Sequence, residues 1–316
     1  MKPVLISKIK KIFPQWFIRP IINIIRIINF IFRGVTKDIM SLHDLYLLNQ
    51  EYRFNKEREL LNLYGDKSVQ KILFKSKEVK LFSQNGEDGI LLFLFDQIGT
   101  KSKYFIEIGA GGNTSNTLNL ALNYGWKGAF IDGDIDQLNI TKKQFENSES
   151  SQDRFKYIDS FIKKNNINDI LDVNNVPNEI DLLSIDIDGN DYWIWESMKN
   201  IKPRVVIMEY NASLGYEECL VMKKNDDHSK YEKHPLGWYH GASLKALEKL
   251  GNKKGYSLVC CDSLGVNAFF VRNDLLNDTI KSMDAENCFY SHKRRDNICS
   301  LQDQYNQIRH LEFIDV

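Results

Sequence analysis

The chain has no excess charge of either sign: 42 basic side chains meet 42 acidic ones in 316 residues. A nucleic-acid footprint shows as a basic excess or a basic face, so no nucleic-acid partner is indicated. The five cysteines, Cys219, Cys260, Cys261, Cys288 and Cys299, are odd in number and lack zinc-type spacing. Cys260 and Cys261 lie in an apolar, strand-like run and read as core, in keeping with a reduced, cytoplasmic protein. No signal-peptide cleavage site follows the apolar N-terminal segment. That segment also lacks the roughly 20 largely uncharged residues of a spanning helix, since Arg26 sits in its middle.

What this segment, residues 8–33, does carry is a narrow polar stripe. Arg19, Asn23, Arg26, Asn29 and Arg33 recur every three or four residues, and Ile and Phe fill the rest of the circumference. An amphipathic helix in a membrane interface fits, with Lys8, Lys10, Lys11 and the arginines meeting anionic headgroups at the inner face of the membrane. The same pattern also suits a helix docked on another subunit or on its own domain. The chain thus divides into an amphipathic helix at 1–35, a polar helical connector at 36–80, a globular domain at 81–275 and a tail at 276–316. The tail carries Lys293-Arg-Arg295 but no motif, and reads as a packed cap or an oligomer contact.

With 43% hydrophobic residues, the length suffices for one large α/β domain with additions. Strands and helices alternate regularly after residue 104. Continuous apolar runs at 128–132, 155–158, 181–186 and 204–209 mark strands covered on both faces, as in a parallel sheet. A strand pair at 256–261 and 266–272 closes the series. The expectation is a doubly wound α/β sheet, mostly parallel with an antiparallel last strand, whose ligands bind at the carboxyl ends of the strands.

Two constellations fall at those ends. The first is Tyr104-Phe-Ile-Glu-Ile-Gly-Ala-Gly-Gly112 with Phe130-Ile-Asp-Gly-Asp134. Gly109 and Gly111 allow a sharp turn and close approach to a ligand. Asp132, roughly 20 residues further on, can accept both hydroxyls of a ribose, with Asp134 as the alternative acid. A dinucleotide site wants a third glycine where Thr114 stands, and Glu107 would repel a pyrophosphate while suiting a sulfonium or ammonium group. Gln84, Asn85, Glu87 and Asp88 can edge the same pocket or serve as a polar helix start. The second constellation is Ile185-Asp-Ile-Asp-Gly-Asn-Asp191, with Met208-Glu-Tyr-Asn211 on the next strand. Asp186, Glu209 and Asn211 offer oxygens to Mg²⁺ or a similar hard cation. Asp191 reads instead as a helix cap. Without a metal, Asp186 or a histidine, His240 or His234, must serve as general base. Trp193, Trp195, Trp238 and Tyr239 offer flat faces to a sugar ring, or pack the core.

The series Phe82-Ser-Gln-Asn-Gly-Glu-Asp-Gly89, Glu107-Ile-Gly-Ala-Gly111, Phe130-Ile-Asp-Gly-Asp134, Leu182-Leu-Ser-Ile-Asp-Ile-Asp-Gly-Asn-Asp-Tyr-Trp193, Pro203-Arg-Val-Val-Ile-Met-Glu-Tyr-Asn211 and Gly265-Val-Asn-Ala-Phe-Phe-Val271 resembles the FkbM-like branch of the class I S-adenosylmethionine-dependent methyltransferases. The resemblance covers roughly residues 81–274. It implies a Rossmann-like methyltransferase fold and O-methyl transfer to sugar or polyketide hydroxyls. It also implies that Glu107, Gly109 and Gly111 hold the methionine portion, Asp132 the ribose, and Asp159 and Ser160 the adenine. The stretch 184–192 is also similar to the aspartate motif of cation-dependent O-methyltransferases. A membrane-proximal enzyme of polysaccharide biosynthesis joins these readings. A nicotinamide-dependent oxidoreductase and a non-catalytic, membrane-associated binding protein remain the alternatives.

Overall fold

The computed structural model describes residues 67–112, 114–145, 153–226 and 229–316. The amphipathic helix at 8–33, with its expected membrane contact, and most of the connector lie outside the described residues. Among the described residues, no helix is long and apolar enough to cross a membrane.

The strands of the described residues are β1 (Tyr104–Ile108), β2 (Lys127–Asp132), β3 (Phe155–Asp159), β4 (Glu179–Ile185), β5 (Lys202–Glu209), β6 (Leu220–Met222), β7 (Tyr256–Cys261), β8 (Asn267–Arg272) and β9 (Phe313–Asp315). The frame is a seven-stranded sheet in the order β3-β2-β1-β4-β5-β8-β7. The first five strands pair in parallel. Only β8 runs against its neighbours, inserted between β5 and β7. This is the doubly wound, Rossmann-like sheet with a reversed last strand, as the sequence leads one to expect. The chain order turns back between β1 and β4, so the loops after β1 and β4 diverge and leave a crevice at the carboxyl edge.

The apolar runs are buried as a parallel sheet requires. Every residue of β7 is buried, as is every residue of β4 after Glu179. One face packs Ile106, Leu183, Val206 and Phe270 against the helices Ile167–Val173, Asp191–Ser197 and Leu244–Lys254. The other packs Phe105, Phe130, Leu182 and Phe269 against the helix Glu87–Ile98. Each such side chain fully withdrawn from water stabilises by roughly 1.5–3 kcal/mol, which fixes the sheet and with it the crevice.

Two segments set apart by the sequence belong to this body. The helix Lys67–Lys77, expected within a connector, buries Leu73 and Phe74 against the second face. Gln70 Nε2 there donates to the carbonyls of Val259 and Lys281. The tail beyond 276 buries Ile280, Met283 and Ile308, and its strand β9 pairs with β6. The helix Glu87–Ile98 starts after Gly86, whose φ of 103° only glycine adopts readily. Ser83 and Asp88 brace this start reciprocally: Ser83 Oγ accepts the N–H of Asp88 and donates to Asp88 Oδ2, which also accepts the backbone N–H groups of Leu81, Phe82 and Ser83.

Candidate functional site

A cavity of about 520 Å³ opens at the carboxyl ends of β1, β2 and β4. Of the site residues expected from sequence, Glu107, Gly109, Gly111, Asp132, Asp134, Ser160 and Asp186 line it, as do Gln84, Asn85 and Glu87. Asp159, Glu209, Asn211 and His240 are not among the lining residues.

The glycine loop works by two different means. Gly109 has φ +80°, and a Cβ there would stand 1.7 Å from the carbonyl oxygen of Asp186. Its lack of a side chain lets the tips of β1 and β4 close on each other. At Gly111 a Cβ would meet only Asp132 Oδ2 at 3.5 Å and Gln137 at 3.7 Å, so here the missing side chain leaves room beside the acid. Gly112, not singled out from sequence, has φ +88° and would drive a Cβ to 2.8 Å from Gln137 Oε1.

Glu107 is buried, and its carboxylate is turned onto its own chain. It accepts the hydroxyls of Ser115 and Thr117, each at 2.5 Å, and the N–H of Asn116 at 2.9 Å. Burial pushes its pKa up, and these three hydrogen bonds pull the other way without cancelling the rise. Glu107 thus pins the turn between glycine loop and helix, where a dinucleotide site needs bare N–H groups for a pyrophosphate.

Asp132 ends β2 half-buried, with Oδ1 accepting the N–H of Asp134 at 2.9 Å. Burial, and next Asp134 among the charges, raises its pKa above that of an ordinary aspartate. Asp134 caps the helix Ile135–Lys143 by accepting from the N–H groups of Asp136 and Gln137. Asp159 ends β3 exposed, and the cavity wall beyond that strand is built by Ser160, Phe161 and Ile162. Phe161 is 58% exposed and lies over Gly133, where a Cβ would come within 2.8 Å of the ring. An apolar residue two positions past a strand tip was the available sequence signal.

On the other side, Asp186, Asp188 and Glu209 each present a carboxylate oxygen, all within 4.8 Å of one another. Asp191 closes the turn beneath them, accepting from the N–H groups of Ile187 and Gly189 at 2.9 Å. Asn211 needs correction as a candidate ligand, because its amide is saturated elsewhere. Its Oδ1 accepts from Ser213 N–H and Arg295 Nη1, and its Nδ2 donates to the carbonyls of Trp238 and His240. Asp188, held at φ +57°, takes its place in the cluster.

His240, expected from sequence as a candidate general base, is 2% exposed. Arg295 Nη2 lies 2.8 Å from its Nε2. A guanidinium only donates, so Nε2 accepts and the imidazole proton sits on Nδ1, 3.6 Å from Glu209 Oε2. His240 therefore reaches the cluster through Glu209, behind the cavity wall, and is placed to orient that carboxylate rather than to take a proton from a ligand. Arg295 itself was missed: the tail carries it, buried, from the short helix Lys293–Asp296. Burial lowers its pKa, and the charges of Glu209 and Asp188 oppose the fall. Of the four aromatics considered for a sugar ring, Trp195, Trp238 and Tyr239 are buried, and half-buried Trp193 donates Nε1–H to the carbonyl of Met222.

No protein-family model matches this chain, and a search of curated proteins finds no match. Among solved structures, TnmH aligns with a TM-score of 0.34 at 14% identity, over 53% of this chain and 49% of that one. The present chain thus spans about half the length of TnmH. Magnesium protoporphyrin IX methyltransferase (ChlM) from Synechocystis PCC 6803, with bound SAM, aligns with a TM-score of 0.37 at 11% identity, over 75% and 100% of the two chains. A SAM-dependent methyltransferase from Aquifex aeolicus aligns with a TM-score of 0.36 at 13% identity, over 65% and 96%. At TM-scores this low, the likenesses say nothing about chemistry here.

Proposed function

We propose that this chain is an S-adenosylmethionine-dependent O-methyltransferase of the FkbM-like kind, acting on a hydroxyl of a sugar or polysaccharide precursor. The observation that carries the reading is one cavity lined by a glycine loop, a strand-tip acid and, across from them, aspartates of a carboxylate cluster. The residues suit the cofactor. Gly111 leaves open space beside Asp132, whose carboxylate can take a ribose diol, and Phe161 offers an exposed ring to adenine. When bound, S-adenosylmethionine supplies an electrophilic methyl group on a sulfonium. The pinning of the loop by Glu107 disfavours the nicotinamide alternative, since a buried carboxylate stands where a pyrophosphate would sit.

This chain's own contribution is placement and proton removal. Asp186 borders the cavity, and a hydroxyl held against it gives up its proton as the oxygen takes the methyl. Glu209, flanked by His240 and near the charge of Arg295, stands beside Asp186 as a second oxygen donor. The carboxylates of Asp186, Asp188 and Glu209 also suit a hard cation such as Mg²⁺, which would lower the pKa of a bound hydroxyl. The acceptor is proposed to be met in the cytoplasm at the inner face of the membrane, through residues 8–33.

Calorimetric titration of the full chain with S-adenosylmethionine, with and without Mg²⁺, tests this reading. Micromolar binding that Asp132→Ala abolishes is expected. A folded protein that binds no S-adenosylmethionine overturns the reading and brings the non-catalytic alternative forward.

A further inference from the structure

At one end of the cavity lies a buried carboxylate that pairs with no cation among the described residues. Glu87 is 0% exposed, yet all three hydrogen bonds to its carboxylate come from amides. Asn85 gives its N–H at 2.7 Å and its Nδ2 at 3.0 Å, and Asn267 gives its Nδ2 at 2.6 Å. Among the described residues, no Lys, Arg or His forms an ion pair with Glu87, Glu107 or Asp262. Asp262 registers the crowding: burial first, then the charge of Glu87, pushes its pKa up to about 8.

Asn267 supplies an independent sign. It forms part of the cavity wall at 3% exposure, and its Oδ1 accepts no hydrogen bond among the described residues. Its Nδ2 must face Glu87, because turning the amide over would set two acceptor oxygens against each other. An orphaned, buried carbonyl-type oxygen beside a buried carboxylate without a counter-ion asks for a group that is both a donor and a cation. A neutral hydroxyl would satisfy the oxygen and leave the charge. Register places this pair beside the carboxylate cluster, since Asn267 in β8 lies directly opposite Glu209 in β5.

We infer that Glu87 and Asn267 form a subsite for a primary ammonium group, with Glu87 supplying the charge and Asn267 Oδ1 a directed acceptor. The inference rests on the methyltransferase reading for its first source, the α-ammonium of the cofactor's methionine portion. An amino-sugar acceptor carries the same chemistry and is the second. The role expected of Glu107 from sequence passes in part to Glu87, because the hydrogen bonds to Glu107 already come from its own loop.

The test is calorimetry on the full chain with three probes. These are S-adenosylhomocysteine, its deamino analogue in which 4-mercaptobutanoate replaces homocysteine, and glucosamine. Wild type should prefer S-adenosylhomocysteine over the deamino analogue by about tenfold or more, as for loss of a charge-assisted hydrogen bond. Asn267→Leu and Glu87→Gln should each remove that preference while binding the deamino analogue within about twofold of wild type. Glu87→Gln keeps the side-chain shape and decides the matter if Asn267→Leu does not fold, as read by thermal unfolding. Unchanged nucleoside preference with glucosamine binding lost in the variants assigns the ammonium to the acceptor. Equal affinity of wild type for both nucleosides, with no glucosamine binding, overturns the subsite. Binding of neither nucleoside overturns the methyltransferase reading instead. The subsite then stands only if wild type binds glucosamine and both variants lose it, and falls otherwise.

Discussion

The two halves of the carboxyl edge are made in different ways. On the β1–β2–β3 side, Gly109, Gly111, Asp132 and Ser160 each sit at or just past the end of their own strand. On the β4–β5–β8 side, a carboxylate of the cluster is backed by distant chain: Glu209 by His240, His240 by Arg295, and Arg295 by Asn211 and Ser213. The first half is a set of local turns and the second a network closed by the tail. Substitutions in the first should therefore act singly and on binding. Those in the second should propagate to one another and act on turnover.

The largest expected effect lies in the second half. Asp186→Asn should lower methyl transfer by about 10²–10⁴-fold, the range for losing a positioned base, while affinity for S-adenosylhomocysteine stays within a few-fold. Parallel turnover assays and calorimetry would show this, and equal loss of both would erase the division drawn between the halves. Arg295→Met should slow transfer through His240 and Glu209 and shift its pH profile, at a stability cost of about 1–3 kcal/mol for the buried acceptors left behind. An unchanged profile would show Arg295 to be packing alone.

In the first half, the two glycines separate stability from binding. Gly109→Ala should destabilise by about 3 kcal/mol, from a left-handed backbone and a clash with the carbonyl of Asp186. Gly111→Ala should leave the urea midpoint nearly unchanged and weaken the nucleoside. Similar unfolding curves for the two would mean the β1–β4 contact is looser than it stands here. Asp132 adds a pH handle. Its raised pKa means that the ionised form a ribose diol needs is lost at a higher pH than for an ordinary aspartate, so on acidification nucleoside affinity should fall earlier than an unshifted aspartate would allow. Asp132→Asn should abolish that dependence.

The smallest effect concerns stability. Asp262 binds its proton more tightly folded than unfolded, so its stabilising contribution is full below its unfolded pKa near 4 and is lost as pH rises towards about 8. Glu87→Gln removes the charge that helps hold the pKa up, and should narrow this window. Urea unfolding across pH 5–8 for wild type and variant measures it.

Sequence reached the two halves unequally for a physical reason. Strand tips can be read from an apolar run that ends in Gly or Asp, because burial on both faces dictates the run and the tight turn after it selects those residues. Asp132, Gly109 and Asp186 were legible in this way. Asn211 was misread because its composition fits a ligand, and only the approach of Arg295 and the carbonyls of Trp238 and His240 shows its amide to be saturated. His240 was expected as a general base from its place near the acceptor segment, and only the approach of Arg295 and Glu209 shows its ring buried behind the cavity wall. Arg295 and Asn267 were given no role, since a basic run in a tail and an asparagine at a strand start are common, although Asn267 lies in the stretch 265–271 that carries the resemblance.

Local pattern alone gives the alternation of strands and helices, the ligand-binding carboxyl edge and the acids at the strand tips, because these arise from hydrophobic periodicity and turn chemistry over short stretches. Which carboxylates gather, which amide is consumed and which buried oxygen is left asking for a donor emerge only once the chain has folded. Those outcomes depend on groups brought together from positions as far apart as Glu87 and Asn267, or Asn211 and Arg295, and no local pattern records such encounters.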